Sequence, residues 1–387
     1  MKTCIYCREI KRDDDFTLEH VIPKFLGGAY APDLYKIKAV CDKCNSNLGL
    51  FVDAGFKKNF AVYSALTEMF FAFFDTNNPI GLPLLCMGPS DLKPPDMKEE
   101  SEICEAWLGS LGEQIYWLRP NDNRLYWYMG GNPRTAKTIE TRAYFLFSER
   151  SQKFPQLSWL TFSDAFKDRR KVKKIMCTYV SGANPSDIGF SKPDITDQKR
   201  IDFFNDVCSG INDRHHQLNV YTKFDFRFLA KISIGIAYAL FGLKSLETLY
   251  ANELNKTLWL KENDPPTTIR GVPILSNVYD SKFKSSTGLE NAVTLIIVPI
   301  ENFISLVINI GMNLICSVHI ATSENLTQKD LNKIGEGKVI ILFKPIKFCI
   351  LLNYHDFLAH KCGAVVNREI QKIELMAGKH KDFFKNL

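Results

Sequence analysis

No apolar run in the 387-residue sequence reaches the ~20 residues needed to cross a bilayer. The strongest candidate, Phe303 to Ile320, is broken by Asn309, Gly311 and Asn313 and reads as strands joined by turns. The opening Met1-Lys2-Thr3-Cys4 leads straight into polar sequence without a secretory apolar stretch, so a cytoplasmic protein with no membrane contact is expected. A GxxxxGK(S/T) phosphate loop is missing, which excludes nucleotide-powered translocation of that type. There is no internal repeat and no low-complexity tract. Neither sign of charge is in large excess. The 49 Lys and Arg exceed the 43 Asp and Glu by only 6, a lean that a polyanionic partner and an ordinary solvated surface explain equally well.

What is there is an ordinary globular composition, long enough for two or three domains. Residues 1–55 hold two cysteine pairs, strand-like pieces at Phe16–Val21 and Tyr35–Val40, and a helix beginning near Asn45. Residues 56–74 lack Gly and Pro and read as a largely buried helix. Five prolines between Asn77 and Pro95 stop regular structure and mark a boundary. Beyond it, Gln114–Leu118, Arg124–Met129 and Arg142–Phe147 read as strands. Phe226 to Phe241, apolar almost all round, predicts a buried helix ending at Gly242. Short strands at Val293–Val298, Phe303–Ile310, Leu314–Ile320, Lys338–Phe343 and Phe348–Leu352 predict an antiparallel meander. The expected class is α+β, divided as 1–55, a helix and Pro-rich linker over 56–100, and a mixed region 101–387 with a break near 190–220.

Eleven cysteines are unevenly spread. Seven of them (Cys86, Cys104, Cys177, Cys208, Cys316, Cys349, Cys362) stand singly and read as small buried hydrophobes. Cys4, Cys7, Cys41 and Cys44 instead form two CxxC pairs flanking residues 8–40. Each pair offers two corners of a tetrahedron, so a structural Zn²⁺ clipping a long insert is expected. A redox role would call for a thioredoxin-like strand pattern, which is missing. Inside the insert lies Thr17-Leu18-Glu19-His20-Val21-Ile22-Pro23. On a regular strand Glu19 and His20 point to opposite sides, so a bend or bulge is needed to bring both to one site. Glu19 with Asn45 makes a hard-oxygen pair suited to Mg²⁺ or Mn²⁺, beside which a neutral imidazole can activate water.

In order, Cys-x-x-Cys, Glu-His-Val-Ile-Pro, Leu-Gly-Gly, Val-Cys-x-x-Cys-Asn and Leu-Gly resemble the HNH endonucleases, which combine a ββα-metal core with a flanking zinc site. The resemblance covers residues 4–55. It implies that His20 is the general base attacking a phosphodiester through water, and that Glu19 and Asn45 ligate the catalytic cation. Asn45 stands where many members of the family have His, and alignment back from Cys41 puts Lys36 where the family's middle Asn lies. Asp53, two helical turns beyond Asn45, is expected as an extra ligand or a partner of one. The nucleobase-deaminase pattern does not fit, since Glu precedes His here and Val40 precedes Cys41.

Elsewhere the densest basic run is Lys167 to Lys174, in which Arg169, Arg170, Lys171, Lys173 and Lys174, together with the distant Lys36, are candidate phosphate contacts; a solvated turn is the alternative. Tyr116-Trp117 and Tyr126-Trp127-Tyr128, with Arg119 and Arg124, would suit base stacking or a strand core, the core being favoured. His215-His216 reads as surface histidine, with phosphate contact the alternative, His319 as a core histidine in an apolar strand, and the spacing of His355 and His360 does not argue for metal. Two functions of different class follow. One is a metal-dependent DNA endonuclease, homodimeric if it cuts both strands, with a large region that senses modified or foreign DNA or a small nucleotide signal. The other is a non-catalytic zinc module that binds nucleic acid or a protein.

Overall fold

The computed structural model describes residues 1–75, 77–121, 140–166, 171–178, 184–209, 222–261, 263–377 and 384. The chain forms two compact units, one from Met1–Phe74 with Val220–Lys381 and the other from Asp75–Asn219 with Asp382–Leu387. This grouping differs from consecutive regions 1–55, 56–100 and 101–387, because the chain leaves its first unit near residue 75 and returns to it near 220. Antiparallel sheets with interspersed helices make the fold α+β. No helix among the described residues is long and apolar enough to cross a membrane.

The first unit begins with a two-strand ribbon, β1 (Lys2–Thr3) and β2 (Ile10–Lys11), followed by the antiparallel pair β3 (Phe16–His20) and β4 (Lys36–Cys41). The β3–β4 connection depends on the Leu-Gly-Gly turn. Gly27 takes a left-handed φ of 102°, and a Cβ on Gly28 would lie 1.6 Å from the Ile22 carbonyl oxygen. Cys41 caps α1 (Asp42–Leu48), which runs through a π-helical stretch, Gly49–Asp53, into α2 (Ala54–Lys57). After an Asn59 N-cap comes α3 (Phe60–Ala72), the expected buried helix.

The second unit is a five-stranded sheet ordered β5 (Leu85–Ser90), β6 (Glu102–Leu108), β7 (Gln114–Pro120), β8 (Thr141–Leu146) and β9 (Val172–Met176). All pairs are antiparallel except β8–β9, which needs the crossover helices α4 (Glu149–Lys153) and α5 (Pro155–Asp164). Phe162 of α5 packs edge-on against Phe145, while α6 (Ile195–Cys208) stacks Phe204 on Tyr116. Alternate β7 and β8 side chains thus face opposite helical layers.

The returning chain forms α7 (Thr222–Phe241), which stops at Gly242, and α8 (Leu249–Leu258). A six-stranded antiparallel sheet then takes β10 (Gly271–Val272), β11 (Val293–Ile300), β12 (Phe303–Ile310), β13 (Leu314–Thr322), β14 (Lys338–Phe343) and β15 (Phe348–Asn353). Its order is β10-β13-β12-β11-β14-β15, so the meander folds outward on both sides of β11. Three short helices interrupt or follow it: α9 (Ser281–Thr287), α10 (Gln328–Ile334) and α11 (Tyr354–Lys361). The last described helix is α12 (Arg368–Ala377). Phe357, Ile370 and Ile373 cover one sheet face, and α7 and α8 pack along β13.

Candidate active site and metal centre

Cys4 and Cys7 lie on the turn between β1 and β2, which closes through Arg8 N–H to Cys4 O (2.9 Å) and puts Arg8 at a left-handed φ of 62°. Cys41 ends β4, and Cys44 lies in the first turn of α1. The four Sγ atoms all lie within 4.8 Å of one another. Their ionisation is unequal. A hydrogen bond with Cys44 holds Cys4 down at about 4 and pushes Cys44 far up, while burial raises Cys7 to about 11. Four cysteine sulfurs at this spacing form an all-sulfur tetrahedral set that suits Zn²⁺, which would bind them as thiolates.

The turn carrying these cysteines is clamped by the returning chain. The Arg8 guanidinium donates to the carbonyls of Leu246 (2.7 Å) and Ala251 (3.3 Å). The Tyr6 carbonyl accepts from Asn255 Nδ2 (2.6 Å) and Trp259 Nε1 (3.1 Å).

On β3 the register with β4 shifts between Thr17 and Glu19, but Glu19 and His20 then pair in succession with Ile37 and Lys36, so the irregularity lies before the pair and the two side chains stay on opposite sides of the strand. His20 is half-buried and pairs across the ladder with Lys36. Burial lowers its pKa below the ordinary 6.5, Lys24 and Lys36 lower it further, and Glu19 opposes them. Asn45 lies one turn into α1, where its Nδ2 donates to Thr17 Oγ1 (2.9 Å) and the Leu18 carbonyl (3.1 Å). That amide braces β3 against α1 while its Oδ1 takes no part in either bond.

Glu19 is only 3% exposed and turns away from solvent. Its Oε1 meets the ammonium of Lys231 at 2.9 Å and accepts from Tyr6 OH at 3.4 Å. Lys231, on α7 and 2% exposed, also pairs with Asp53 Oδ2 at 2.5 Å. Burial alone would lower the Lys231 pKa, but Asp53 and Glu19 outweigh it and hold the lysine above its ordinary value. Burial raises Asp53 to about 6 against the pull of Lys231, as expected when one ammonium serves two carboxylates. Asp53 Oδ1 is buried with no hydrogen-bond partner. Glu19 and Asp53 are joined through Lys231 and Asn45 is held to Thr17 and Leu18; their carboxylate and amide oxygens are the donor type that suits Mg²⁺ or Mn²⁺.

The other sequence candidates fare differently. Lys36 is bridged to Asp33 at 2.9 Å. The Lys173 ammonium is held by Asp194 (2.9 Å) and Asp197 in the N-terminal capping box of α6. Lys174 is half-buried with its ammonium 5.1 Å from the Phe190 ring centre. Lys171 is exposed, and Arg169 and Arg170 lie outside the described residues. Tyr116 and Trp117 are core, and Arg119 is buried against Glu105 at 2.9 Å, so none of them stacks a base. Arg124, Tyr126, Trp127, Tyr128, His215 and His216 lie outside the described residues. His319 bonds Ser305 through Nδ1 (2.7 Å), His360 Nδ1 accepts from the Asn367 N–H (3.2 Å), and His355 is exposed. Of the single cysteines, Cys362 is exposed rather than buried, at the end of α11.

Lys231 and Tyr6 were missed in the sequence. The signal for Lys231 was present: a lone cation inside an apolar helix must find a carboxylate when buried. Compared with known proteins, the chain has no match among curated proteins or solved structures. The segment that builds this site does match a family: residues 4–61 fit the model of the HNH endonucleases.

Proposed function

We propose that the protein is a metal-dependent DNA endonuclease of the cytoplasm, in which the chain beyond the HNH domain selects or senses the target. The observation carrying this reading is the half-buried imidazole of His20, its pKa lowered by burial, on a β3–β4 hairpin that ends in Cys41 of the four-cysteine cluster and lies within the residues 4–61 that match the HNH endonucleases. His20 takes the proton of the attacking water, and its lowered pKa keeps a ring nitrogen free to do so at neutral pH. Glu19 and Asn45, with Asp53 behind them, would hold the Mg²⁺ or Mn²⁺. A cation bound there supplies charge stabilisation to the phosphodiester and its departing oxygen. Lys24 and Lys36, close enough to His20 to lower its pKa, contribute positive field toward a DNA backbone. A small nuclease core joined to a large further region is the layout of bacterial restriction or phage-defence effectors. On that analogy the target is modified or foreign DNA, cut on both strands by two copies or gated by a small nucleotide signal.

One observation favours a second reading, a non-catalytic zinc module that binds nucleic acid or a partner: Glu19 is covered and already neutralised by Lys231. Plasmid incubated with the full-length protein, with Mg²⁺, with Mn²⁺ or with chelator, separates the two. Nicking that requires a divalent cation and disappears in His20→Ala supports the nuclease, and intact plasmid under all conditions supports the binding module. Running the same assay on unmodified and base-modified DNA reads the target preference.

A further inference from the structure

The nuclease centre contains a charge that residues 4–61 do not supply. Lys231 reaches it from α7, and the helix face around it is shaped for that contact. Phe228, one turn before, stacks on Phe56 with ring centres 3.8 Å apart. Gly235, one turn after, admits Val21: a Cβ there would lie 2.7 Å from Val21 Cγ1 and 3.2 Å from Tyr6 OH. Between them the Lys231 ammonium bridges Glu19 Oε1 and Asp53 Oδ2, all three side chains being buried.

Counting charges gives the consequence. Two carboxylates and one ammonium sum to −1. A divalent cation joining them would leave +1 in a buried place, which is unfavourable. A divalent cation arriving with the phosphodiester, itself −1, brings the sum to zero. We propose that Lys231 is a positioning residue and fixed counter-charge of the nuclease centre, making capture of the divalent metal depend on bound DNA. This rests on the nuclease reading above. In the free protein the ammonium keeps Glu19 and Asp53 from gathering a cation alone, so the centre is armed only on its substrate.

The test is Mn²⁺ affinity, read by electron paramagnetic resonance on full-length zinc-loaded protein with His20→Ala as background, so that DNA stays intact. Without DNA the Lys231-containing protein should bind Mn²⁺ weakly, and a duplex oligonucleotide should tighten binding at least tenfold. Lys231→Met should tighten Mn²⁺ binding at least tenfold without DNA and shrink the DNA effect. Lys231→Arg, which keeps the charge, should behave like the parent. A variant damaged in folding would lose Mn²⁺, the opposite sign, so a gain cannot come from structural loss. If a Lys231→Met protein with parent-like melting and full zinc weakens Mn²⁺ binding or leaves it unchanged, the inference is overturned. Measurement on the parent alone also decides: equal Mn²⁺ affinity with and without DNA overturns it even if the variant does not fold. Should wild-type protein cleave DNA with Mn²⁺ while either negative result holds, only this inference fails. If it neither cleaves DNA nor binds Mn²⁺, the nuclease reading fails with it.

Discussion

His20 carries a local field that favours its neutral form: it is half-buried and has Lys24 and Lys36 nearby, with Glu19 alone opposing. The sign for catalysis is direct. A base must be deprotonated, so activity should fall only as pH drops through a pKa below the ordinary ~6.5, leaving a plateau at neutral pH. A pH profile of plasmid nicking at fixed Mn²⁺ checks this. Salt, by screening Lys24 and Lys36, should move the acid limb upward. On the proposed nuclease reading, His20→Ala should cut cleavage by about 10²–10⁴-fold with zinc content unchanged, and added Mn²⁺ should not restore it. Glu19→Gln differs in kind. It keeps one oxygen donor, so its defect should shrink as Mn²⁺ is raised, and equal behaviour of the two variants would count against their separate roles. His20, Glu19 and Asn45 could be named as candidates from the sequence because the motif that carries them is local. The sequence could not show that Glu19 is covered, since the covering residue Lys231 belongs to a distant helix.

At the scale of elements, α7 is where sequence reading succeeded and stopped short. Its unbroken apolar character announced a buried helix and Gly242 its end, and both hold. What it packs on was not legible, because the contact from Lys231 to Asp53 spans 178 residues of sequence. The same limit applied to α6, whose capping acids Asp194 and Asp197 neutralise Lys173 across a sheet–helix contact that local pattern does not encode. The packing of α7 makes a prediction whose sign runs against helix propensity. In an exposed helix interior Gly→Ala stabilises by roughly 0.5–1 kcal/mol. At Gly235 the new methyl would meet Val21 Cγ1 at 2.7 Å, and overpacking of that kind costs about 1–3 kcal/mol. Gly235→Ala should therefore lower the melting temperature and, by pushing Val21, the residue after β3, from α7, reduce cleavage as well. A raised melting temperature with full activity would show that Val21 and α7 are not in firm contact.

For the whole molecule, the four-cysteine cluster is the fastening of a discontinuous unit. If residues 1–55 were a separate module, zinc loss would melt them alone. The clamps say otherwise: the loop between Cys4 and Cys7 receives Asn255 and Trp259 at the Tyr6 carbonyl, and Arg8 donates to the carbonyls of Leu246 and Ala251. Structural zinc contributes about 10–16 kcal/mol of apparent binding energy in small zinc peptides, so its loss reaches every element that the loop holds. Cys41→Ser should release zinc, abolish cleavage, and shift the unfolding of the unit built from Met1–Phe74 and Val220–Lys381 downward by roughly 10 °C or more. The unit built on Asp75–Asn219 has its own sheet and its own helical layers, so its transition should stay in place. Scanning calorimetry on wild-type and variant protein, with zinc measured by elemental analysis, reads both. Stoichiometric zinc in the variant would break the four-thiolate assignment. A variant whose two transitions fall together would mean that the units unfold as one, and one in which only a small early transition appears would return residues 1–55 to the status of an independent module.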